Sequence, residues 1–459
     1  MLGERCKSFE DVLSVQQPLG LAYLAAVLGR EGHQVKVIDA AVLNLSDEQI
    51  ASEVRQFHPH LIGITTLTPR YRIALSLATK LKEELDLPIL VGGSHVTALP
   101  EETMKNRCFD FAAVGEGETT IADLARAMEK NQDISKVKGI VYRHGEEIVM
   151  TEPRPLIDNL DTIPFPARDL LPPLSEYRPS PAAYKRLPQA TMMTSRGCPY
   201  RCAFCDRSVF GNHARTRTAR NVVDEMELLI TKYGAREIRF WDDTFNISRQ
   251  RVIDICEEVL SRKLDVPWTC LARVDHMNAE VLDAMEEAGC WQVDYGIESG
   301  NQAILNGIMK GQTLDLVERV VKMTRKAGIG VRGFFMLALP RETESTMRDT
   351  IRFAKRLDLT SAVFHVTTPF PGTDLFEMAK ESGELRSDVS YDAYMLGFSE
   401  DVPYVPKGLT AQRIKDIQHA AYGEFYLRPS FLMKRALEIR SLMDVQRYAQ
   451  AFLTVNHLG

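Results

Sequence analysis

Three cysteines, Cys198, Cys202 and Cys205, stand in the stretch Thr194-Ser195-Arg196-Gly197-Cys198-Pro199-Tyr200-Arg201-Cys202-Ala203-Phe204-Cys205, spaced C-x3-C-x2-C. Thiolates this close face one small volume, and a metal or metal cluster is the occupant that suits them. A four-iron cluster held by three protein thiolates keeps one iron open. An open position separates a catalytic metal site from a closed structural one. Zinc would need a fourth ligand; His213 is the nearest candidate, and a single distant His is not a usual zinc spacing. A disulfide would leave one of the three unpaired. The remaining cysteines (Cys6, Cys108, Cys256, Cys270 and Cys290) are scattered singly and read as buried small hydrophobes.

Other residues with chemical potential lie further along. Asp242 and Asp243 in Trp241-Asp242-Asp243-Thr244-Phe245 offer two carboxylates to a cation, or cap the helix that follows. Arg273, with Asp275 nearby, could meet an acid or close the fold by a salt bridge. Glu298 in Gly296-Ile297-Glu298-Ser299-Gly300 is an acid in a tight, glycine-flanked turn, where it has little packing use.

The elements that must position these groups alternate between strand and helix over residues 190–370. Candidate strands are Ala190–Thr194, Glu237–Trp241, Pro267–Ala272, Gln292–Ile297, Gly330–Leu337 and Ala362–Thr367, six in all, which predicts a partial barrel. Active sites of such barrels lie at the carboxyl ends of the strands, and Asp242, Arg273 and Glu298 all fall there. The fifth strand would carry apolar residues to the core, and Pro369-Phe370-Pro371-Gly372-Thr373 follows the sixth.

A second alternating pattern precedes it. Helices are expected over Leu19–Arg30, Ser46–Phe57, Arg72–Leu85 and Thr120–Met128, and strands over Gln34–Asp39, Leu61–Thr66, Pro88–Gly93 and Phe111–Glu118. Short apolar strands between helices predict a parallel, doubly wound sheet, whose ligands sit beyond the strands' carboxyl ends. Those ends carry Thr65, Thr66 and Thr68, then Gly92, Gly93, Ser94, His95 and Thr97, then Gly115, Glu116 and Gly117. Small and hydroxyl residues let a large ligand approach the backbone. No G-x-G-x-x-G opens a helix after a strand, which weakens a dinucleotide reading.

Between the two patterns, Val137 to Met150 reads as a hairpin turning at His144-Gly145. Prolines then cluster at 153, 155, 164, 166, 172, 173, 179 and 181, a density that blocks helix and inner strand. The expected divisions are 1–135 for the forward domain, 136–189 for hairpin and linker, 190–374 for the barrel and 375–459 for a helical tail. In that tail, Leu409–Leu427 and Ser430–Phe452 are amphipathic. The second is basic at Lys434, Arg435, Arg440 and Arg447, read as a solvated face.

The chain has 459 residues and a net charge of −6, so no broad basic surface argues for nucleic acid. No apolar run approaches the ~18–20 residues of a membrane span, and the N-terminus lacks a secretory apolar region. A reducing cytoplasm is the expected compartment.

The cysteine spacing, with Phe204 before the last cysteine, resembles the radical S-adenosylmethionine (SAM) signature. The forward pattern resembles the cobalamin-binding domain of one large class of that superfamily, through Pro18-Leu19-Gly20-Leu21-Ala22-Tyr23-Leu24-Ala25, Gly92-Gly93-Ser94-His95 and Val114-Gly115-Glu116-Gly117-Glu118. Ile163-Pro164-Phe165-Pro166-Ala167-Arg168-Asp169-Leu170 resembles a landmark of the class and reads as a rigid spacer. The resemblance implies a Rossmann-like doubly wound cobalamin-binding domain followed by a partial (β/α)6 TIM-type radical SAM barrel. It implies a [4Fe–4S] cluster on Cys198, Cys202 and Cys205. It also implies SAM contacts from Phe204, Asp242, Asp243, Arg273, Glu298 and Ser299, and cobalamin contacts from the forward strand ends. Two departures stand out. No clear strand precedes Pro18, and the histidine motif that supplies a lower cobalt ligand elsewhere is absent. His58-Pro59-His60-Leu61-Ile62-Gly63 shares only its His and Gly, so histidine is not expected on cobalt.

The activity this implies is C-methylation of an unactivated carbon, through a 5′-deoxyadenosyl radical and methylcobalamin. Its rivals are oxidative cyclisation or rearrangement of a tetrapyrrole or lipid, and a non-catalytic cobalamin or iron–sulfur sensor. The expected partners are a small-molecule, lipid or tetrapyrrole substrate and an electron donor such as flavodoxin or ferredoxin.

Overall fold

The structure, a computed structural model, describes residues 15–180, 183–395 and 401–438. Its strands in chain order are β1 (Ile62–Thr65), β2 (Ile89–Gly92), β3 (Phe111–Ala113), β4 (Ile140–His144), β5 (Glu147–Met150), β6 (Gln189–Met192), β7 (Ser195–Arg196), β8 (Arg215–Thr216), β9 (Glu237–Phe240), β10 (Trp268–Ala272), β11 (Cys290–Glu298), β12 (Gly330–Leu337) and β13 (Ser361–Val366).

The forward sheet runs β1-β2-β3-β4-β5, parallel through β3 and antiparallel beyond it. β2, flanked by β1 and β3, is apolar on both faces, as a strand covered by helices on both sides must be. Ile89 and Val91 pack with Ile50, Val54, Ala78 and Leu81 of the helices Asp47–Phe57 and Tyr71–Leu85. Leu90 turns the other way, toward Ile121 and Leu124 of the helix Glu118–Glu129. Ser46 starts the second helix with a capping box, its hydroxyl accepting from the Gln49 N–H while the Gln49 side chain accepts from the Ser46 N–H.

Two expectations change here. Gln34–Asp39 forms no strand among the described residues, and β1 lies at the sheet edge with Gly63 and Thr65 exposed. A strand needs a paired neighbour. This segment is held instead by side chains: Lys36 on Glu53, and the Tyr177 hydroxyl donating to Asp39 Oδ2 at 2.9 Å. The hairpin β4–β5, expected in the linker, belongs to the forward sheet, because β4 pairs antiparallel with β3 from Phe111↔Tyr142 to Ala113↔Ile140.

The proline-rich segment is pinned rather than loose. Ala167 donates to the Ala22 carbonyl at 2.9 Å. The buried Arg168 guanidinium reaches Gln17 Oε1 (2.5 Å), the Thr191 carbonyl (2.6 Å) and Glu225 Oε1 (3.0 Å). One side chain thereby joins the forward domain, the linker and the barrel. Pro181 lies outside the described residues.

The second sheet is parallel throughout, in the order β13-β12-β11-β10-β9-β6. Alternation sends Ile238, Phe240, Trp268, Cys270, Val293, Tyr295, Val331 and Phe335 into the core beneath the surrounding helices. The opposite face forms the lumen. Its floor is a buried polar network in which Asp294 accepts from Arg239 (2.6 Å) and Gln292 (3.0 Å), with Arg332 at 3.6 Å. The floor is filled, so a ligand has room only at the opposite, carboxyl end.

Six strands leave the barrel open and β13 with a free edge. The tail helix Ala411–Tyr426 covers it. The Tyr426 and Tyr422 hydroxyls accept from the N–H groups of Ala362 (3.0 Å) and Phe364 (3.2 Å), and Gln418 donates to the Phe364 carbonyl (2.8 Å). A last helix is described over Pro429–Glu438; the remainder of the expected basic helix, with Arg440 and Arg447, lies outside the described residues.

Candidate active site

The cluster loop is pinched at its base. β7 and β8 pair antiparallel, with Arg196 opposite Arg215, and all three cysteines lie in the loop between them. Gly197 opens that loop at φ +83°. A Cβ there would run into the carbonyls of His213 and Phe210, so only glycine fits. The loop is fixed by backbone bonds to two distant elements: Ala203 donates to the Ile308 carbonyl (3.0 Å), and Leu375 donates to the Ala203 carbonyl (2.8 Å). Phe204 anchors it in an apolar patch of Ile304, Leu305, Ile308 and Leu339.

Cys202 is buried, Cys198 half-buried and Cys205 open to solvent. Although the residue as a whole is exposed, protein crowded around the sulfur first, and then the neighbouring Cys202 thiol, push the Cys205 thiol up to about 12. Sulfurs in this position repel one another as thiolates unless a cation holds them. One donor already points at them: Arg273 Nη1 lies 3.7 Å from Cys202 Sγ, while the Thr244 hydroxyl, 3.6 Å from Cys198 Sγ, donates to the Asp243 carbonyl (2.7 Å). Such hydrogen bonds tune a cluster's potential. Among the described residues, no three His, Cys, Asp or Glu side chains gather tightly enough to ligate a single ion. His213 is exposed and gives the loop only its carbonyl contact. The thiol set therefore suits a multi-iron cluster better than a mononuclear zinc site.

The expected SAM residues divide. Asp242 is turned inward: it accepts from the N–H groups of Thr194 (2.5 Å) and Ser195 (3.1 Å) and from the Thr194 hydroxyl, tying the end of β9 to the strand beside it. Both its oxygens are engaged within the barrel wall. Ser299 is likewise engaged, fully buried and bonded to the Thr350 hydroxyl (3.2 Å) and the Asn301 N–H (3.2 Å). Asp243 remains open at the mouth and accepts from the Gly197 N–H (3.0 Å). Burial of its surroundings and the adjacent Asp242 hold its carboxyl above the usual range, so a cation placed there would be welcome.

Arg273 is locked. It forks onto Asp275 (2.9 and 3.0 Å), donates to the Lys310 carbonyl (2.8 Å) and lies 3.6 Å from the centre of the Tyr200 ring. The salt bridge and the sulfur contact are its roles in this structure. Glu298 sits at φ +67°, a strained backbone for a non-glycine residue, at a register shift in β11. Its carboxylate folds back over Gly296 to meet Lys310 Nζ at 2.8 Å, and both groups are buried. Sequence reasoning missed Lys310; no spacing rule ties an acid to a lysine in the loop beyond the next helix.

At the forward domain's strand ends, Thr65 is exposed. Thr66 is buried, its hydroxyl donating to the Leu67 carbonyl (3.1 Å). Gly93, at φ +110°, presses on the Thr66 backbone where a Cβ would clash. His95 is buried between the Tyr71 and Tyr391 rings. Its Nδ1 is 3.2 Å from the Thr68 hydroxyl, its Nε2 has no partner among the described residues, and burial holds it down at about 4. His58 closes a helix in the left-handed conformation. Glu116, expected among the cobalamin contacts, is withdrawn from the opening. Its two oxygens take Arg196 and Arg215, each at 2.8 Å, and the Ile157 N–H at 2.8 Å.

These contacts show how the sheets meet. Gly372, after β13, packs against both Ala98, after β2, and Asp206 of the cluster loop; Trp241, at the end of β9, donates to Gln16. The segments that follow β2 and β3 thus lie against the neck of the cluster loop and against the turn after β13.

Comparison with known proteins agrees with that arrangement. Residues 9–125 match the B12 binding domain family, and residues 192–354 match the Radical SAM superfamily. An uncharacterized methyltransferase of Pyrococcus horikoshii is 38% identical over 92% of this chain and 90% of its own. The anaerobic magnesium-protoporphyrin IX monomethyl ester cyclase of Rubrivivax gelatinosus is 28% identical over 90% of this chain and 74% of its own. Among solved structures, the radical SAM methyltransferase TsrM of Kitasatospora setae, with tryptophan and a SAM analogue bound, superposes with a TM-score of 0.71 at 20% identity. That match covers 91% of this chain and 87% of TsrM. The cobalamin-dependent radical SAM enzyme OxsB gives 0.76 at 17% identity, over 98% and 70%. The chain belongs to the radical SAM enzymes that carry a B12-binding domain. Its cofactors are a [4Fe–4S] cluster, SAM and cobalamin, and its affinities are with the methyltransferases of that family.

Proposed function

We propose that this enzyme methylates an unactivated carbon of a small-molecule, lipid or tetrapyrrole substrate. The observation that carries the reading is contact: Glu116, after β3, holds Arg196 and Arg215 at the neck of the cluster loop, and Gly372 lies beside both Ala98, after β2, and Asp206, next to Cys205; a two-cofactor reaction requires such adjacency. When bound, the cluster supplies the electron that cleaves SAM, and cobalamin carries the methyl group. The chain's own residues do the rest. Cys198, Cys202 and Cys205 hold the cluster, and Arg273 donates to one of its sulfurs. Asp243 offers a carboxylate to the SAM amino group, and Glu298, steadied by Lys310, offers one to ribose hydroxyls. Thr65, Thr68, Gly92, Gly93, Ser94, Gly115 and Gly117 leave room for the corrin. An electron donor of flavodoxin or ferredoxin type, in a reducing cytoplasm, fits the solvent-open Cys205.

A cyclase reading is favoured by one observation, the cyclase named among the relatives. The two separate by products. Anaerobically reconstituted protein with hydroxocobalamin, SAM and a low-potential reductant should form 5′-deoxyadenosine, absent in Cys202→Ala, together with S-adenosylhomocysteine. 5′-Deoxyadenosine without S-adenosylhomocysteine would leave cyclisation or rearrangement. Neither product would leave a sensor.

A further inference from the structure

Two buried arginines face each other across the neck of the cluster loop, and both reach the same glutamate of the other domain. Arg196 of β7 and Arg215 of β8 are register partners. Arg196 Nη1 meets Glu116 Oε1 at 2.8 Å and its Nη2 meets Glu118 Oε1 at 2.5 Å; Arg215 Nη1 meets Glu116 Oε2 at 2.8 Å. Arg215 also donates to the carbonyls of Ile157 (2.7 Å) and Phe210 (3.0 Å). The Arg196 guanidinium is sandwiched between the Tyr23 and Phe210 rings at 5.3 and 5.2 Å. All four ionised groups are buried, and the set is neutral overall.

A buried ion network of this kind is poor value as stabilisation, because apolar side chains of similar size would serve as well. What it supplies is direction. Each carboxylate oxygen fixes one strand of the neck, so the loop can neither tilt nor slide against Gly115–Gly117 without leaving a charge unpaired. Cys198 follows Arg196 by two residues, and Glu116 lies between the two glycines at the end of β3.

We propose that Glu116, Arg196 and Arg215 are positioning residues that set the separation and orientation of the cluster relative to the cobalamin held by the forward domain. The proposal rests on the two-cofactor reading above.

The test uses the full chain loaded with cluster and hydroxocobalamin, then reduced so that cluster and cobalt are both paramagnetic. Pulsed electron paramagnetic resonance then reads the dipolar coupling between them. The wild type should give one narrow distance distribution. Glu116→Gln should bind both cofactors in wild-type amounts, yet broaden or shift that distribution and lower 5′-deoxyadenosine formation about tenfold or more, as small misplacements do. Glu116→Asp, which keeps the charge, should restore part of both. An unchanged distribution with an unchanged rate overturns the proposal. If Glu116→Gln does not fold, Arg215→Lys is read the same way, since lysine keeps the charge but cannot span the carboxylate and both carbonyls. If the wild type binds no hydroxocobalamin, the two-cofactor reading fails separately. The neck is then judged on the reduced cluster's resonance with and without SAM, and a spectrum indifferent to Glu116→Gln overturns it.

Discussion

Glycine at 296 is dictated by the carboxylate two residues later. A Cβ there would overlap Glu298 Oε1 and stand 2.9 Å from Lys310 Nζ. Gly296→Ala should therefore force the buried pair apart, lowering stability by about 1–3 kcal/mol in urea titrations, the usual range for overpacking. It should also weaken SAM binding by the reconstituted enzyme; unchanged affinity would remove Glu298 from the SAM site. Glu342 gives a second residue-scale outcome. It is buried in the turn after β12, with Oε2 accepting from the Leu339 N–H (3.0 Å) and Oε1 without a partner. Burial pushes its carboxyl up to about 8 from an ordinary 4.5. The folded state thus holds a proton that the unfolded chain has already lost, so this stabilisation is full below about pH 4.5 and disappears as pH rises through about 8. Glu342→Gln should flatten the fall in melting temperature between pH 6 and 8.5; an identical fall in both proteins would refute the assignment. At this scale the sequence was half legible. Cysteine spacing is a rigid code, so Cys198, Cys202 and Cys205 stand out in the sequence as the candidate cluster ligands. Asp242 and Asp243 look alike in sequence, and only the structure shows that the first is buried on the Thr194 and Ser195 backbone while the second is exposed beside Gly197.

Elements were easier to read than their partners. The helix Leu19–Arg30 and the strand Gly330–Leu337 fall where periodicity puts them, because amphipathic and apolar runs are local signals. Pairing is not local. The extended run Gln34–Asp39 has strand composition and no strand neighbour among the described residues, and the hairpin β4–β5 gave no sign that it would join β3. The linker shows the same limit. Its prolines predicted stiffness, but nothing in them revealed that Arg168 would be buried against Gln17, Thr191 and Glu225. That contact makes a firm prediction about the element. Arg168→Met should preserve packing volume yet strip a charge partner from the buried Glu225, which keeps only Arg217 at 2.5 Å. A loss of about 3 kcal/mol, the low end for breaking a buried pair, is expected in equilibrium denaturation. A variant as stable as the wild type would show that the linker is a passive spacer.

Among the described residues the molecule has two large sheets, with two buried ionic ties between their domains: the Glu116 neck and the Arg168 joint. Exposed surface pairs would be screened and weak, but these groups are withdrawn from water, and unfolding either domain would strand charges in the other. The two domains should therefore melt together. The chain provides a clean way to see this, because its three tryptophans, Trp241, Trp268 and Trp291, all lie in the barrel. Tryptophan fluorescence thus reports chiefly on the barrel, through the buried Trp268, with Trp241 also sensing its contact with Gln16. A ligand confined to the native state adds RT ln(1 + [L]/Kd), about 2.7 kcal/mol at a hundredfold excess over Kd. Hydroxocobalamin, bound through the forward domain, should raise the fluorescence midpoint of the barrel by the same amount as the far-ultraviolet circular dichroism midpoint of the whole chain. The rise should shrink in Arg168→Met, where one tie is cut. If cobalamin instead shifts a separate transition and leaves the tryptophan midpoint in place, the domains are energetically independent. The buried ionic ties would then orient the two cofactor sites without coupling their stability.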